Sequence, residues 1–492
     1  MVMVPKPKRS QSYPHSHFIS GIVTTYDVSW SAPLQIEVGL LKTTDWYCNL
    51  IQPSIGRDLS KPVQPARFRK GFHLKETPQQ ARLYITAQVL YKSFINGNRI
   101  GDHVLAPGWT SYDHQLPYLT FDVLAQLRKG ENVIAAEVAE GCTEVIGTDS
   151  SWKWSHGPLL QAAIYDGEFY DSRLECLGWN GLSYVDKDWQ SVHLGQLSLL
   201  TLQVPYDSPQ VRRTQTLPAQ MKLRSPQGTI ILDFGQNLVG WCATVPLREA
   251  KCTDTIVLSG EPLVFEPRFS FHGFRYMQII GYNFDQVDLN NFNAVFIHTD
   301  MPQTGWLDLV HEGDFISVPT DCPQRDERLG WTGGLQAFAA TAAYLYDTRG
   351  ILKTWLRGLA FEQTEDGKGV PPLFSPNIWK GRPNIPSAIW GDALVSVPWD
   401  LYQSSGDTAL LADLYDNMNE WLIKGVKRDK DGLLWGPNHS QLVDWLKPGA
   451  PADDPGNGPT DEILVSNAFL IRMTDIMART CVVLGHEKDC EL

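Results

Sequence analysis

Between Asp321 and Gly334 the chain reads Asp-Cys-Pro-Gln-Arg-Asp-Glu-Arg-Leu-Gly-Trp-Thr-Gly-Gly, placing three carboxylates, two guanidiniums and an indole in one short run. Such a mixture is too polar for a core and has the composition of a sugar site. Cleaving a glycosidic bond needs a carboxyl that stays protonated until it gives its proton to the leaving oxygen, and a second group that helps the attacking water. A proton donor working near neutral pH must have a raised pKa, supplied by apolar burial or a close like charge. Glu327 has Asp326 beside it and Trp331 four residues on, so both influences are at hand. Arg325 and Arg328 can keep the neighbouring carboxylates ionised, the Trp331 face can stack on a pyranose ring, and Pro323 keeps the chain out of a helix before Arg325.

An alternating-charge tetrapeptide can equally be an exposed, ion-paired turn. The flanks argue for a site: Phe315-Ile316-Ser317-Val318 reads as a buried strand and Leu335 to Tyr346 as an apolar helix, so the charged loop is held between buried elements.

The elements that must position this loop change character along the 492 residues, a length that predicts two to four domains. Residues 1–30 are rich in Pro, Ser and His and are expected to be a disordered tail. From 31 to 205 the signal is β: Asn96-Gly97 follows Phe94-Ile95 as a hairpin turn, and Ile134, Ala136 and Val138 alternate with period two. A second β segment covers 206–303, with strands predicted at Thr229–Leu232, Thr255–Leu258 and Tyr276–Ile280; Asp233, Gln236 and Asn237 there are read as turn-capping residues rather than sugar ligands. From 304 to 492 the period becomes helical. Leu335, Phe338, Ala339, Ala342 and Leu345 mark one face, and Ala337, Ala340 and Ala343 predict burial on the others too. Further helices are expected at about 349–364, 391–405, 408–428 and 462–485. The fold class is multidomain β plus α: two antiparallel β-sandwich modules, then helical hairpins with aromatic loops at one end, as in an α/α barrel.

A net charge of −13 argues against a nucleic-acid partner. No apolar run approaches the roughly 18 residues of a membrane span and no secretory leader is visible, so the expectation is a cytoplasmic protein without a membrane partner. The eight cysteines have no paired spacing that would indicate a zinc site or disulfide framework, and no cofactor or metal is expected. Seventeen tryptophans, eight of them from Trp331 to Trp445, suit both core packing and a carbohydrate cleft.

The run Asp321 to Gly333, DCPQRDERLGWTG, closely resembles the signature of the bacterial-type α-L-rhamnosidases, glycoside hydrolase family 78. RKGFHL (69–74), VLAPGWTSYDHQ (104–115), SWKWSHGP (151–158), DFGQNLVGW (233–241), FHGFRY (271–276) and WGDA (390–393) agree with it, so the resemblance covers the chain from about Leu34 onward. It implies a β-sandwich module and a concanavalin-like module ahead of an (α/α)6 catalytic barrel, and an inverting hydrolase of terminal α-L-rhamnosides such as plant glycosides or rhamnose-containing oligosaccharides. The motif carries Glu327 over as general acid and Asp321, Arg325 and Trp331 as sugar contacts. Trp390 and Asp392, with Asp444 and Trp445, are further pocket candidates. Core packing is the competing reading for Trp390, and capping of the helix from Ala393 is the competing reading for Asp392.

The chain also departs from the family. Gly334 stands where the family usually has an aspartate, and the joints near Gly141-Cys142, Trp241 to Arg248 and His311 to Phe315 look shortened. The resemblance puts the general base beyond Leu492, midway through the expected barrel, so one expectation is a truncated, catalytically impaired or merely rhamnose-binding form whose exposed helix faces favour self-association.

Overall fold

The computed structural model describes residues 64–139, 149–195, 202–240, 251–305, 315–319, 328–432, 434–436, 441–443 and 460–486, with 2–3, 16–18, 21–23, 28–30, 34–36, 40, 46, 48–55 and 145–147. The three apparently shortened joints, most of the loop before Arg328, and Asp444 and Trp445 lie outside these residues.

The first β module stacks two sheets. One runs in the order Asn98–Arg99, Tyr91–Ile95, Gly130–Val138, Ala66–Leu74, Lys153–His156, Gln190–Ser191; the other is Val2–Met3, Arg82–Ile85, Gln115–Asp122, Leu202–Pro205. Phe68 pairs across to Ala136 on one side and Trp154 on the other, and together with Ile85, Ile95 and Ile134 they fill the space between the sheets. Asn96 and Gly97 both have positive φ, as the predicted hairpin turn requires. The tail expected to be disordered contributes strands where it is described: Val2–Met3 pairs with Arg82–Ile85, and Gly21–Val23 with Val28–Trp30. Its Ile, Val and Trp residues have strand propensity that the Pro, Ser and His content masked.

Period two understates the burial of Gly130–Val138, because Val133 and Ala135 are as enclosed as Ile134 and Ala136. Their face of the sheet carries Arg67, Arg69 and Glu137 and is roofed by the aromatic segment 179–189, with Arg67 over Trp179 and Arg69 over Tyr184. Arg67 bonds Glu137 at 2.8 Å and Glu175 at 2.9 Å, and Arg268 reaches Glu137 at 2.7 Å. The sheet therefore buries charge as ion pairs.

In the second module Ile230–Gly240 is central, paired to Met221–Arg224, His272–Ile279 and Asn293–Thr299 around Leu232, Phe234, Phe274 and Ile297. Asp233 does cap: its Oδ1 accepts the Gly235 N–H at 2.8 Å, and both its oxygens pair with Arg275. Among the described residues, pairing is antiparallel except at two joints. Gln115–Asp122 runs parallel to Leu202–Pro205, and Gly167–Asp171 runs parallel to Thr255–Val257, which stitches the two β modules together.

Five α-helices are described: α1 Thr332–Leu345, α2 Arg349–Thr364, α3 Ala393–Ser405, α4 Thr408–Glu420 and α5 Glu462–Leu484. Gly406 closes α3 in the left-handed conformation, and the next residue, Asp407, opens α4 by accepting the N–H groups of Ala409 and Leu410. α4 then widens into a π turn over Trp421–Gly425. The expectation that α1 is buried on all sides fails. Leu335, Ala339, Ala342 and Leu345 are enclosed, while Ala337, Ala340 and Tyr344 are exposed. Alanine is chosen in helices for propensity as well as packing, so an alanine face does not require a neighbour. Among the described residues no helix is long and apolar enough to cross a membrane.

The β part grips α2 through the loop before Gln115. Ser111 donates to Glu362 at 2.6 Å, His114 lies 2.7 Å from Glu365 and stacks on Phe361, and Asp113 pairs with Lys380.

Candidate active site

Trp331 is the N-cap of α1, and a second chain segment sets its position. Thr332 donates both its N–H and its hydroxyl to the Leu373 carbonyl at 2.9 Å, and the Ser375 N–H donates to the Gly330 carbonyl at 3.0 Å. A Cβ on Gly330 would lie 2.3 Å from the Ser375 carbonyl oxygen, so only glycine permits this approach. Behind the crossing, Leu329, Leu373 and Phe374 form a small apolar cluster against which Trp109, Trp331 and Trp390 pack.

The aromatic side chains then assemble edge to face. Phe374 has Trp331 and Trp379 at 4.9 Å each, inclined by 68° and 84°. Trp390 lies on the first turn of α1, where a Cβ added to Gly333 would come within 2.6 Å of its ring. A pocket lined by Phe374, Asn377, Trp379, Arg382 and Asn384 opens beside Trp331. One exposed indole, Trp379, with amide and guanidinium groups beside it suits the apolar face and hydroxyls of a sugar.

Asp392 occupies the N-cap position of α3, but its side chain makes no cap hydrogen bond. Its Oδ2 accepts the Ile389 N–H at 2.7 Å, and its Oδ1 accepts the Trp421 indole N–H at 3.0 Å. It is 1% exposed, and burial pushes its pKa up to about 6 against those two hydrogen bonds. Ile389 has φ +70°, a costly conformation for a β-branched residue. Asp392 thus holds the strained turn that carries Trp390, and both its oxygens are engaged by protein.

Of the residues singled out in the sequence, Trp331 and Trp390 are brought together and Asp392 lies beneath Trp390. Asp321, Arg325, Glu327, Asp444 and Trp445 lie outside the described residues. Sequence reasoning missed Trp109, Phe374, Trp379 and Glu362. Trp109 lies within VLAPGWTSYDHQ, and the Pro, Gly and Trp content of 371–391 signalled an aromatic loop, but neither told which rings would meet. Glu362 is buried on α2, where it accepts from Ser111 and from the Asn377 N–H at 2.8 Å. Desolvation raises its pKa, and these bonds oppose the shift. It couples the β part to the pocket loop. Among the described residues no cluster of His, Cys, Asp or Glu could hold a metal ion.

Three family models tile the chain: the alpha-L-rhamnosidase N-terminal domain at residues 76–144 and 141–215, the bacterial alpha-L-rhamnosidase concanavalin-like domain at 242–298, and the bacterial alpha-L-rhamnosidase 6 hairpin glycosidase domain at 309–492. The chain belongs to the bacterial α-L-rhamnosidase family. An α-L-rhamnosidase of Alteromonas sp. (strain LOR) is 30% identical over 544 residues, covering 94% of this chain and 58% of its own length. The native α-L-rhamnosidase from Aspergillus terreus superposes with a TM-score of 0.89 at 36% identity, over 95% of this chain and 62% of that one. The Streptomyces avermitilis α-L-rhamnosidase, solved in complex with L-rhamnose, gives 0.75 at 31% identity over 86% of this chain and 47% of its own. The chain therefore spans less than two thirds of the length of these rhamnosidases. Its β modules and α-helical segment follow the family architecture.

Proposed function

We propose that this chain acts on terminal α-L-rhamnosides, such as plant glycosides or rhamnose-containing oligosaccharides, as part of an inverting general acid/base hydrolase. In this reading Glu327 gives its proton to the leaving oxygen, and Asp321 and Arg325 hold ring hydroxyls. Trp331 and Trp390 pack on the sugar, Asp444 and Trp445 complete the pocket, and Asp392 positions Trp390. The observation that carries the reading is the approach of Trp390 to the first turn of α1, two residues after Trp331 and six after Glu327. The L-rhamnose held by the Streptomyces relative supports the choice of sugar. Inversion calls for a second carboxyl about 6.5–9.5 Å from the acid, leaving room for water.

The test is turnover of a panel of aryl glycosides, with proton NMR of the first-formed sugar. Release from the α-L-rhamnoside with the β anomer appearing first supports the proposal. Retained configuration, or preference for another sugar, overturns it.

A second reading, rhamnose binding without turnover, is favoured by Gly334, which leaves an exposed position in the first turn of α1 without the family's usual carboxylate. Calorimetric binding of free rhamnose alongside no release from any aryl rhamnoside would select it.

A further inference from the structure

Arg328 is the residue covalently joined to Glu327, and it is 3% exposed with φ +50°. A buried arginine in the left-handed region is costly twice over, in strain and in desolvation, so its surroundings must favour this one arrangement. They do so from the β part. Nη1 donates to the Phe271 carbonyl at 2.7 Å and to the Ile164 carbonyl, and Nη2 donates to the Cys252 sulfur at 2.9 Å. The guanidinium lies over the Phe271 ring at 5.1 Å and faces the Tyr165 ring at 5.6 Å.

These partners come from three separate places: the turn after Leu159–Ala163, the approach to Thr255–Val257, and the start of His272–Ile279. On the other side of Arg328 the chain is fixed to the helical part by Leu329 in its apolar cluster and Gly330 against Ser375. Only a planar fork with several donors can reach two carbonyls and a thiol while stacking on rings; a lysine ammonium cannot.

We infer that Arg328 is a positioning residue for Glu327, pinning the residue that follows the acid to the β modules and so fixing the backbone from which the proton donor projects. The inference rests on the reading of Glu327 as general acid. It also gives the β modules a part in catalysis, since Ile164, Cys252 and Phe271 hold the residue that directly follows the acid in the chain. A proton donor displaced by about 1 Å costs on the order of 10²-fold in rate.

The test uses Arg328→Met, Arg328→Lys and Cys252→Ala in the whole chain, with hydrogen exchange of peptides spanning 318–332 and steady-state kinetics on aryl α-L-rhamnosides. In Arg328→Met, exchange in 318–332 is expected to rise about tenfold or more while α3 and α4 keep their protection. The kcat for a poor leaving group should fall on the order of 10²-fold, with a smaller fall for a dinitrophenyl rhamnoside and a smaller change in KM than in kcat. Arg328→Lys restores part of this, and Cys252→Ala, which leaves both carbonyl acceptors, costs less than about tenfold. A folded Arg328→Met or Arg328→Lys with unchanged exchange in 318–332 overturns the anchor. Equal losses for good and poor leaving groups overturn its action through Glu327. If the unmodified chain released no aryl rhamnoside, the general-acid reading would fall, while the exchange data would still decide the anchor.

Discussion

The Trp421 indole N–H points at Asp392 Oδ1 from 3.0 Å, joining the π turn at the end of α4 to the start of α3 beneath the aromatic pocket. Gly391 and Gly425 both lie against the Trp421 ring, so the indole is clamped before it donates. The same carboxylate holds the Ile389 N–H, and through it the turn presenting Trp390.

Asp392→Asn keeps an acceptor for Trp421 but turns an amide N–H toward that of Ile389. Leaving a buried donor unpaired costs about 1–3 kcal/mol, which urea unfolding would register as a lower midpoint. The pH dependence has a definite sign. The folded-state pKa of about 6 lies above the ordinary 3.8, so the folded state holds the extra proton in that window and stability falls as pH rises through it. The asparagine variant should lose that slope between about pH 4 and 6.

Glu137 predicts the opposite slope. Burial alone would raise its pKa, but Arg268 and Arg67 outweigh burial and hold it at about 2. Its contribution is present above the ordinary value of 4.5 and is lost as pH falls toward 2. Glu137→Gln leaves the buried Arg67 and the partly buried Arg268 short of a counter-charge, a loss of about 3–5 kcal/mol. Unfolding free energy measured from pH 7 down to 3 should start lower and fall less steeply than in the unmodified chain. Parallel curves would refute the ion-pair account.

Gly333→Ala favours α1 by roughly 1 kcal/mol in propensity but drives a methyl into Trp390. Overpacking of this kind costs about 1–3 kcal/mol. The expected outcome is a lower melting temperature with weaker rhamnose binding by calorimetry. Unchanged affinity would remove Trp390 from the sugar site.

Three of the described helices, α3, α4 and α5, were legible because they carry their own punctuation. Asp407 and Asp461 cap α4 and α5, Gly406 and Gly485 stop α3 and α5, and the apolar spacing of α1 begins where Trp331 ends the loop. The Asn96-Gly97 hairpin was legible for the same local reason. Relations across the chain were not. Nothing in WGDA tells that Asp392 waits for an indole 29 residues later, or that Trp109 lies beside Ser317. Nothing in RKGFHL tells that Tyr184 and Trp189 cover Arg69. Burial of a charged face depends on a partner segment, and local pattern carries no information about distant partners.

Glu327→Gln tests most directly whether Glu327 donates the proton. Glutamine keeps the size and much of the hydrogen bonding but has no transferable proton, so aryl rhamnosides with poor leaving groups should slow by roughly 10²–10⁴. Dinitrophenyl rhamnoside should slow much less, the alkaline limb of the pH profile should vanish, and rhamnose affinity should hold. Equal slowing for good and poor leaving groups with the alkaline limb intact would contradict the account and move the proton donor to Asp321 or Asp326.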